Sequence, residues 1–224
     1  MAANKLAGYR YVKSFLEQGP VLEVGCARGE DLETMPPGSL GLEILPEFIE
    51  ICRQKGLNVK ETDLNEPLPI ADESFQTVFC SHVLEHVLAP IRLLSELRRV
   101  CKVNGHVVLG LPLESSLFDW HRKYFINSPY HIYAFTPRNI SHMMNMVGLK
   151  AIGLWYDFPR RLRFIEKPLN WVSPLVSQLA PSYWTVGLKT GQVTAFFEQY
   201  TNKQLLKNWL EQDKKRNRHY PNNT

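Results

Sequence analysis

The sequence predicts an α/β protein built on a Rossmann-like, doubly wound and mostly parallel sheet. Short apolar runs, each long enough for one buried strand, alternate with amphipathic helical patterns through the first two-thirds of the 224 residues. Gly-Pro, Asn-Gly and single glycines separate these segments as turn signals. The alternation of strands and helices is typical of a parallel sheet with helices on both faces.

Five apolar runs are predicted to be strands, and they cover residues 21–24, 39–44, 75–80, 106–111 and 183–188. Helices are predicted over residues 46–55, 90–101 and 137–147, where apolar side chains recur at helical spacing. Each helix begins at a proline, and Thr136 is the predicted N-cap of the last one. Gly56 and Gly148 are the predicted caps after the first and last helices.

Residues 157–182 break this alternation and set the predicted domain organisation. The stretch is rich in proline, arginine and tryptophan, and it is expected to form a late helical insertion or acceptor lid. It would separate a core over residues 1–156 from a final strand and C-terminal helical tail over residues 183–224. The amphipathic pattern within the insertion fits a capping helix or a helix in peripheral contact with a membrane.

Composition limits the classes of function. The formal net charge of +4 is too small to indicate nucleic-acid binding. No run approaches the roughly 20 apolar residues of a membrane span, and the N-terminus lacks the apolar centre of a signal peptide. Cys26, Cys52, Cys80 and Cys101 include no C-x-x-C pair, so we expect reduced thiols and a cytoplasmic protein. Composition indicates no particular oligomeric state.

A glycine turn directly after the first predicted strand is the most informative motif. It reads Glu23-x-Gly25-x-Ala27-x-Gly29, and the chain is then expected to enter a helix through Asp31. Glycine permits positive φ angles and lets a ligand approach the backbone closely. Open parallel sheets bind ligands at the carboxyl ends of their strands. The turn therefore predicts a ligand site at that edge of the sheet.

An acidic residue, Glu43, ends the second predicted strand, fourteen residues after Gly29. A carboxylate at this position can accept the hydroxyl groups of a ribose, and it disfavours a 2′-phosphate. The dinucleotide fingerprint G-x-G-x-x-G is not met, because Ala27 and Glu30 occupy two of its glycine positions. Glu43 therefore suits a ligand that contains a ribose, and the glycine pattern disfavours a dinucleotide; a turn that binds no nucleotide also fits these residues.

Further motifs follow in a fixed order. They are Asp63-Leu64, a Leu-Pro turn, Asp72-Glu73-Ser74-Phe75, the run Ser81-His82-Val83-Leu84-Glu85-His86-Val87, and Asn104-Gly105. With the glycine turn, this order resembles the class I S-adenosylmethionine-dependent methyltransferases, and among them the small-molecule subgroup that includes quinone-biosynthesis enzymes. The resemblance extends over about residues 11–156. The sequence departs from the family pattern at Ala27, where a glycine is usual, and at Gln76, where an aspartate is usual.

The resemblance implies S-adenosylmethionine as the cofactor and a role for each matched residue. Glu23, Gly25, Ala27 and Gly29 would surround the methionine moiety, with Glu23 facing its ammonium group. Glu43 would hold the ribose. Asp63 and Leu64 would flank the adenine, and Ser81 would border the methionine end. The expected reaction is methyl transfer to a small-molecule acceptor, including a lipid-linked or glycan acceptor.

Histidines are the candidate catalytic bases, and His86 and His131 are the two we select. His86 follows an apolar pair and also fits a packing role. His131 belongs, with His121, to an aromatic-rich stretch that fits either an acceptor wall or a plug over the edge of the sheet. A general base is required only when the acceptor must lose a proton.

Two other functions fit parts of the sequence. A non-catalytic module that binds S-adenosylmethionine would explain Ala27 and the lack of a definite base. A zinc hydrolase is suggested by His82, Glu85 and His86, which spell H-x-x-E-H. That motif needs a helix that brings both imidazoles to one face, but an apolar strand precedes it and Ala89-Pro90 follows. The sequence nominates no third ligand, so we expect no metal.

Overall fold

The computed structural model describes residues 9–113, 131–158 and 180–191. The described strands are β1 (Val21–Val24), β2 (Leu40–Glu43), β3 (Val59–Glu61), β4 (Phe75–Ser81), β5 (Cys101–Pro112), β6 (Leu149–Asp157) and β7 (Ser182–Lys189). They form one seven-stranded sheet with the order β3-β2-β1-β4-β5-β7-β6. The pairs among β1 to β5 are parallel, and β7 is antiparallel to both of its neighbours, β5 and β6. The predicted doubly wound, mostly parallel sheet is confirmed.

Four α-helices are described, together with a short 3₁₀ helix. They are α1 (Tyr9–Leu16), α2 (Pro46–Gln54), α3 (Pro90–Val100), α4 (Pro137–Met146) and the 3₁₀ helix Leu32–Thr34. The expected helix after Asp31 is only this single turn. Pro36 and Pro37 follow at once, and a proline disfavours helical backbone both at its own position and at the residue before it.

The sheet has a core on each face, because successive side chains of a strand point to opposite sides. Val78 of β4 belongs to the cluster beneath α3 and α4, whereas the adjacent Phe79 belongs to the cluster beneath α1. Val107 and Val108 of β5 divide in the same way. All four side chains are fully buried. The continuous apolar runs in the sequence therefore correspond to strands that are covered on both faces.

The five predicted strands and three predicted helices are all present, with ends shifted by one residue in most cases. The exception is β5, which begins at Cys101, immediately after α3, five residues before the predicted start. Three elements were not predicted: α1, β3 and β6. The side chains of β3 are exposed or half-buried at the sheet edge, so this strand has no apolar run to reveal it.

The last described strand belongs to the same sheet as the first. β7 lies between β5 and β6, so the core continues past the predicted boundary at residue 156. Most of the predicted insertion, the C-terminal tail and His121 lie outside the described residues, and the division into units stays a prediction. In the described ranges no helix combines the length and apolar character needed to cross a bilayer. All four cysteines are buried and unpaired.

Thr136 caps α4 as predicted, through a reciprocal pair of hydrogen bonds. Its hydroxyl accepts from the Asn139 backbone N–H at 3.2 Å, and its own N–H donates to Asn139 Oδ1 at 2.8 Å. This capping box satisfies two groups at a helix start that would otherwise lack partners.

We expect Thr136→Ala to lower the free energy of unfolding by about 1 kcal/mol, since the N-cap acceptor is lost. Urea unfolding followed by circular dichroism measures this change. Thr136→Ser keeps the hydroxyl and serves as the control. Equal losses in both variants would show that the cap does not stabilise the helix.

Candidate functional site

The predicted cofactor residues meet at the carboxyl edge of the sheet. The strand register pairs Val24 with both Leu42 and Cys80, and Glu43 with Glu61, so the four strands end side by side. From the edge inward, the residues at these ends are Asp63 and Leu64 after β3, Glu43 on β2, the glycine turn after β1 and Ser81 on β4. The strand order reverses between β1 and β4, and such a switch point is where open α/β sheets bind ligands.

The turn after β1 takes left-handed backbone conformations at Gly25, Ala27 and Gly29, with φ angles of 74°, 46° and 73°. The N–H groups of Gly25 and Cys26 both donate to the Leu42 carbonyl, at 2.9 and 3.0 Å. Ala27 therefore adopts the conformation for which glycine is favoured, at a cost of about 1–2 kcal/mol.

The two glycines are also required by packing within the protein. A Cβ on Gly25 would lie 2.5 Å from Val83 Cγ2, and one on Gly29 would lie 2.4 Å from Leu57 Cδ1. Neither distance is tolerated without movement of the neighbour. A bulky substitution at Gly25 would therefore disturb the fold as well as any bound ligand.

The Glu43 carboxylate holds the turn in place. Oε2 accepts a hydrogen bond from the Ala27 N–H at 2.8 Å, and Oε1 accepts from the N–H groups of Ile44 and Leu45 at 2.8 and 3.0 Å. A carboxylate offers about four acceptor positions. Three are already used by the backbone, so about one is left for a hydroxyl of a ligand.

Glu23 carries a buried carboxylate with no ion pair among the residues that the structure describes. The residue is 4% exposed, and its Oε2 accepts no hydrogen bond from the described part of the chain. Burial raises the pKa of Glu23 well above its ordinary value, and the negative charges of Asp31 and Glu43 raise it further, although a hydrogen bond from the Leu32 backbone opposes this. A ligand with a positive charge would relieve the desolvation and the repulsion among these acids.

Asp63 and Leu64 lie beside Glu43. The Thr62 N–H donates to the Glu43 carbonyl at 2.8 Å and so continues the pairing of β2 with β3. Asp63 is exposed, and its Oδ1 accepts from the backbone and side chain of Asn65. Leu64 is half-buried and packs on the core. An exposed carboxylate next to an apolar side chain suits a flat heterocycle that carries an amino group.

The segment after β4 does not form the helix that the zinc hydrolase alternative requires. Residues 82–88 form bends and turns, and His82 has a φ angle of 54°. His82 and His86 therefore do not share a helical face. Instead, His86 lies against His131, with the two ring centroids 4.8 Å apart. The structure brings together the two histidines selected from the sequence as catalytic candidates.

Backbone hydrogen bonds fix this meeting of two distant segments. The Glu85 carbonyl accepts from the N–H groups of Ile132 and Tyr133, at 2.7 and 3.3 Å. The Tyr133 hydroxyl donates to the Leu88 carbonyl at 2.9 Å. Leu88 and Ile132 remain 69% and 54% exposed beside the histidines, which gives this side of the site an apolar rim.

Two residues of the site were not singled out from the sequence. Asp31, which is 7% exposed and adds to the charge near Glu23, was read only as the start of a helix. Its position two residues after Gly29 in an acid-rich turn was the available signal. Val83 fills the space next to Gly25, and no local pattern in the sequence indicates that contact.

Comparison with known proteins finds methyltransferases among the similar sequences. Residues 22–109 match the sequence model of the family described as "Methyltransferase domain". An uncharacterised 37.1 kDa protein of transposon Tn4556 from Streptomyces fradiae is 34% identical over 109 residues, which are 44% of this chain and 30% of that protein. The malonyl-[acyl-carrier protein] O-methyltransferase of Marinomonas sp. is 23% identical over 186 residues, which are 73% of this chain and 68% of that enzyme.

The fold is similar to that of solved methyltransferases. The crystal structure of a SAM-dependent methyltransferase from Archaeoglobus fulgidus superposes with a TM-score of 0.64 at 21% identity, and covers 81% of this chain and 90% of the other. The family match begins at β1 and ends within β5, so it contains the glycine turn, Glu43, Asp63 and Ser81. Residues 22–109 of the chain thus match the methyltransferase-domain family, and the chain shares its fold with solved SAM-dependent methyltransferases.

Proposed function

We propose that the protein transfers a methyl group from S-adenosylmethionine to a small-molecule acceptor. The observation that carries this proposal is the buried Oε2 of Glu23 next to the glycine turn, which accepts no hydrogen bond from the described residues. S-adenosylmethionine has a sulfonium and an ammonium group, so its charge complements the carboxylates of Glu23 and Asp31. When bound, it supplies an electrophilic methyl group.

Each residue at the carboxyl edge has a distinct binding task in this proposal. Glu23 pairs with the ammonium group, and Gly25, Ala27 and Gly29 let the backbone approach the methionine moiety. The remaining acceptor position of Glu43 receives a ribose hydroxyl. Asp63 and Leu64 contact the adenine, and Ser81, half-buried at the end of β4, borders the methionine end.

The acceptor is proposed to enter beside His86 and His131. Imidazole is the side chain that most often accepts a proton in enzymes, and the exposed Leu88 and Ile132 can contact an apolar part of the acceptor. The Marinomonas relative is an O-methyltransferase, which favours oxygen as the methylated atom. We also propose a cytoplasmic location, because the four cysteines are buried and unpaired.

We expect Glu23→Gln to weaken S-adenosylmethionine binding about ten- to a hundred-fold, as for the loss of a charge-assisted hydrogen bond of roughly 1.5–3 kcal/mol. Calorimetric titration measures this loss. Glu17→Gln, an exposed change on the loop after α1, is the matched control. Unchanged affinity in Glu23→Gln would remove the assigned role.

The same variant tests the cause of the raised pKa. Above the ordinary carboxyl pKa, the folded protein keeps on Glu23 a proton that the unfolded chain releases, so stability falls as pH rises through this interval. We therefore expect cofactor-free Glu23→Gln to be more stable than wild type at neutral pH, as measured by thermal unfolding. A lower stability would show that the carboxylate is not electrostatically strained.

Binding of the cofactor should release protons. An ammonium group next to Glu23 favours the ionised carboxylate and lowers its raised pKa, so a proton leaves on binding and affinity increases as pH rises. Calorimetry in two buffers with different ionisation enthalpies measures the number of protons released. Glu23→Gln is expected to abolish this release, and an equal release in the variant would contradict the assignment.

We expect His86→Gln and His131→Gln each to slow methyl transfer by about 10²–10⁴-fold, the range for loss of a general base. Cofactor affinity should stay unchanged, because both residues lie outside the proposed cofactor site. The assay follows a labelled methyl group from the donor into small molecules of a cell extract. If wild-type protein binds the donor and labels nothing across extracts, the non-catalytic binding module is the better description.

A further inference from the structure

Glu85 is a buried carboxylate that the mechanism above does not use. Its side chain is 0% exposed, and neither oxygen accepts a hydrogen bond from any residue that the structure describes. The nearest described basic groups are His82 Nδ1 at 3.4 Å and His86 Nε2 at 3.9 Å from Oε1. A buried carboxylate without donors is costly, and natural proteins usually pair such a group or use it to bind a metal.

The surroundings of Glu85 contain the donors of a metal site. One ligand atom each from Glu85, His86 and His131 can be chosen so that all three lie within 4.8 Å of one another. Donors bound to one ion at about 2.0–2.2 Å lie about 3–4 Å apart. A shift of the two partly exposed imidazole rings by roughly an ångström would bring the donor atoms to the spacing required around one ion.

The backbone keeps the donors together. Because the Glu85 carbonyl accepts from Ile132 and Tyr133, the segment that carries His131 is tied to the residue that supplies the carboxylate. His131 is the donor that joins Glu85 and His86 in this group, and His82 of the H-x-x-E-H motif is not part of it. His131 lies 45 residues after His86, so no local spacing reveals it.

We propose that Glu85, His86 and His131 bind one divalent transition-metal ion on the acceptor side of the site. Two imidazole nitrogens and one carboxylate oxygen suit Zn²⁺, Co²⁺ or Fe²⁺ better than Mg²⁺ or Ca²⁺, which prefer sets of oxygen ligands. Three protein ligands leave a coordination position open. His86 is 40% exposed, so that position would face the solvent side.

The open position gives the ion a role with the acceptor. A hydroxyl group coordinated there would lose its proton more readily, because a bound cation lowers the pKa of an oxygen ligand. His86 and His131 would then act as ligands rather than as separate bases. This role rests on the proposed function, whereas metal binding itself does not.

Metal binding is tested on the full chain, free of any histidine tag and treated with a chelator. Calorimetric titration with Zn²⁺ is expected to show one ion per chain, and Co²⁺ is expected to give a visible spectrum typical of imidazole and carboxylate ligands. Glu85→Gln, His86→Gln and His131→Gln should each weaken binding at least tenfold, the lower bound for loss of an outer-shell partner of a metal. His142→Gln, an exposed histidine on α4, is the matched control and should bind as wild type does.

Donor binding measured on the same samples separates the two proposals. A variant that loses Zn²⁺ but keeps its affinity for S-adenosylmethionine is folded and supports the metal site. If Glu85→Gln does not fold, the two histidine variants, with more exposed side chains, decide the result. Absence of saturable Zn²⁺ or Co²⁺ binding in wild type, or equal binding by all variants, overturns the metal site and leaves the proposed methyl transfer intact.

Discussion

The site depends on the bonds that the Glu43 carboxylate makes to three backbone N–H groups. Through Ala27 it holds the glycine turn of β1, and through Ile44 and Leu45 it holds the backbone that leads into α2. One side chain therefore joins the ends of two neighbouring strands. These bonds also compensate for the left-handed conformation of Ala27, which its own side chain disfavours. The carboxyl edge of the sheet is thus held by hydrogen bonds within the protein itself.

The buried acidic residues at the carboxyl edge of the sheet lower the stability of the fold and favour the binding of a cation. Glu23 and Asp31 are both almost fully buried, and burial together with the negative charge of Asp31 raises the pKa of Glu23. A fold selected for stability alone would not place two acids there. A cationic ligand would supply the opposite charge. Because the two acidic side chains are already in place, such a ligand would bind without the cost of bringing them together.

Much of this architecture could be predicted from the sequence, because each buried strand is a continuous apolar run and each predicted helix starts at a proline. The strand β3 could not be predicted from the sequence, because a three-residue edge strand with exposed and half-buried side chains has no apolar run. Within the candidate site, Glu23 and Glu43 could be selected from the sequence because Glu23 lies two residues before Gly25 and Glu43 ends the second apolar run. The contact of His86 with His131 joins β4 to a segment beyond β5, and its geometry depends on hydrogen bonds to the Glu85 carbonyl that no local pattern encodes.

The backbone hydrogen bond from Ile132 to the Glu85 carbonyl holds the two segments together without using the Ile132 side chain. The tie uses only backbone atoms of Ile132, whose side chain points to solvent with 54% of its surface exposed. Leu88, on the other side of the histidines, is more exposed than Ile132. Substitution of these two side chains would therefore leave the backbone tie intact. Under the proposed function, such substitutions would change which acceptors fit beside the two imidazoles without any change of loop length.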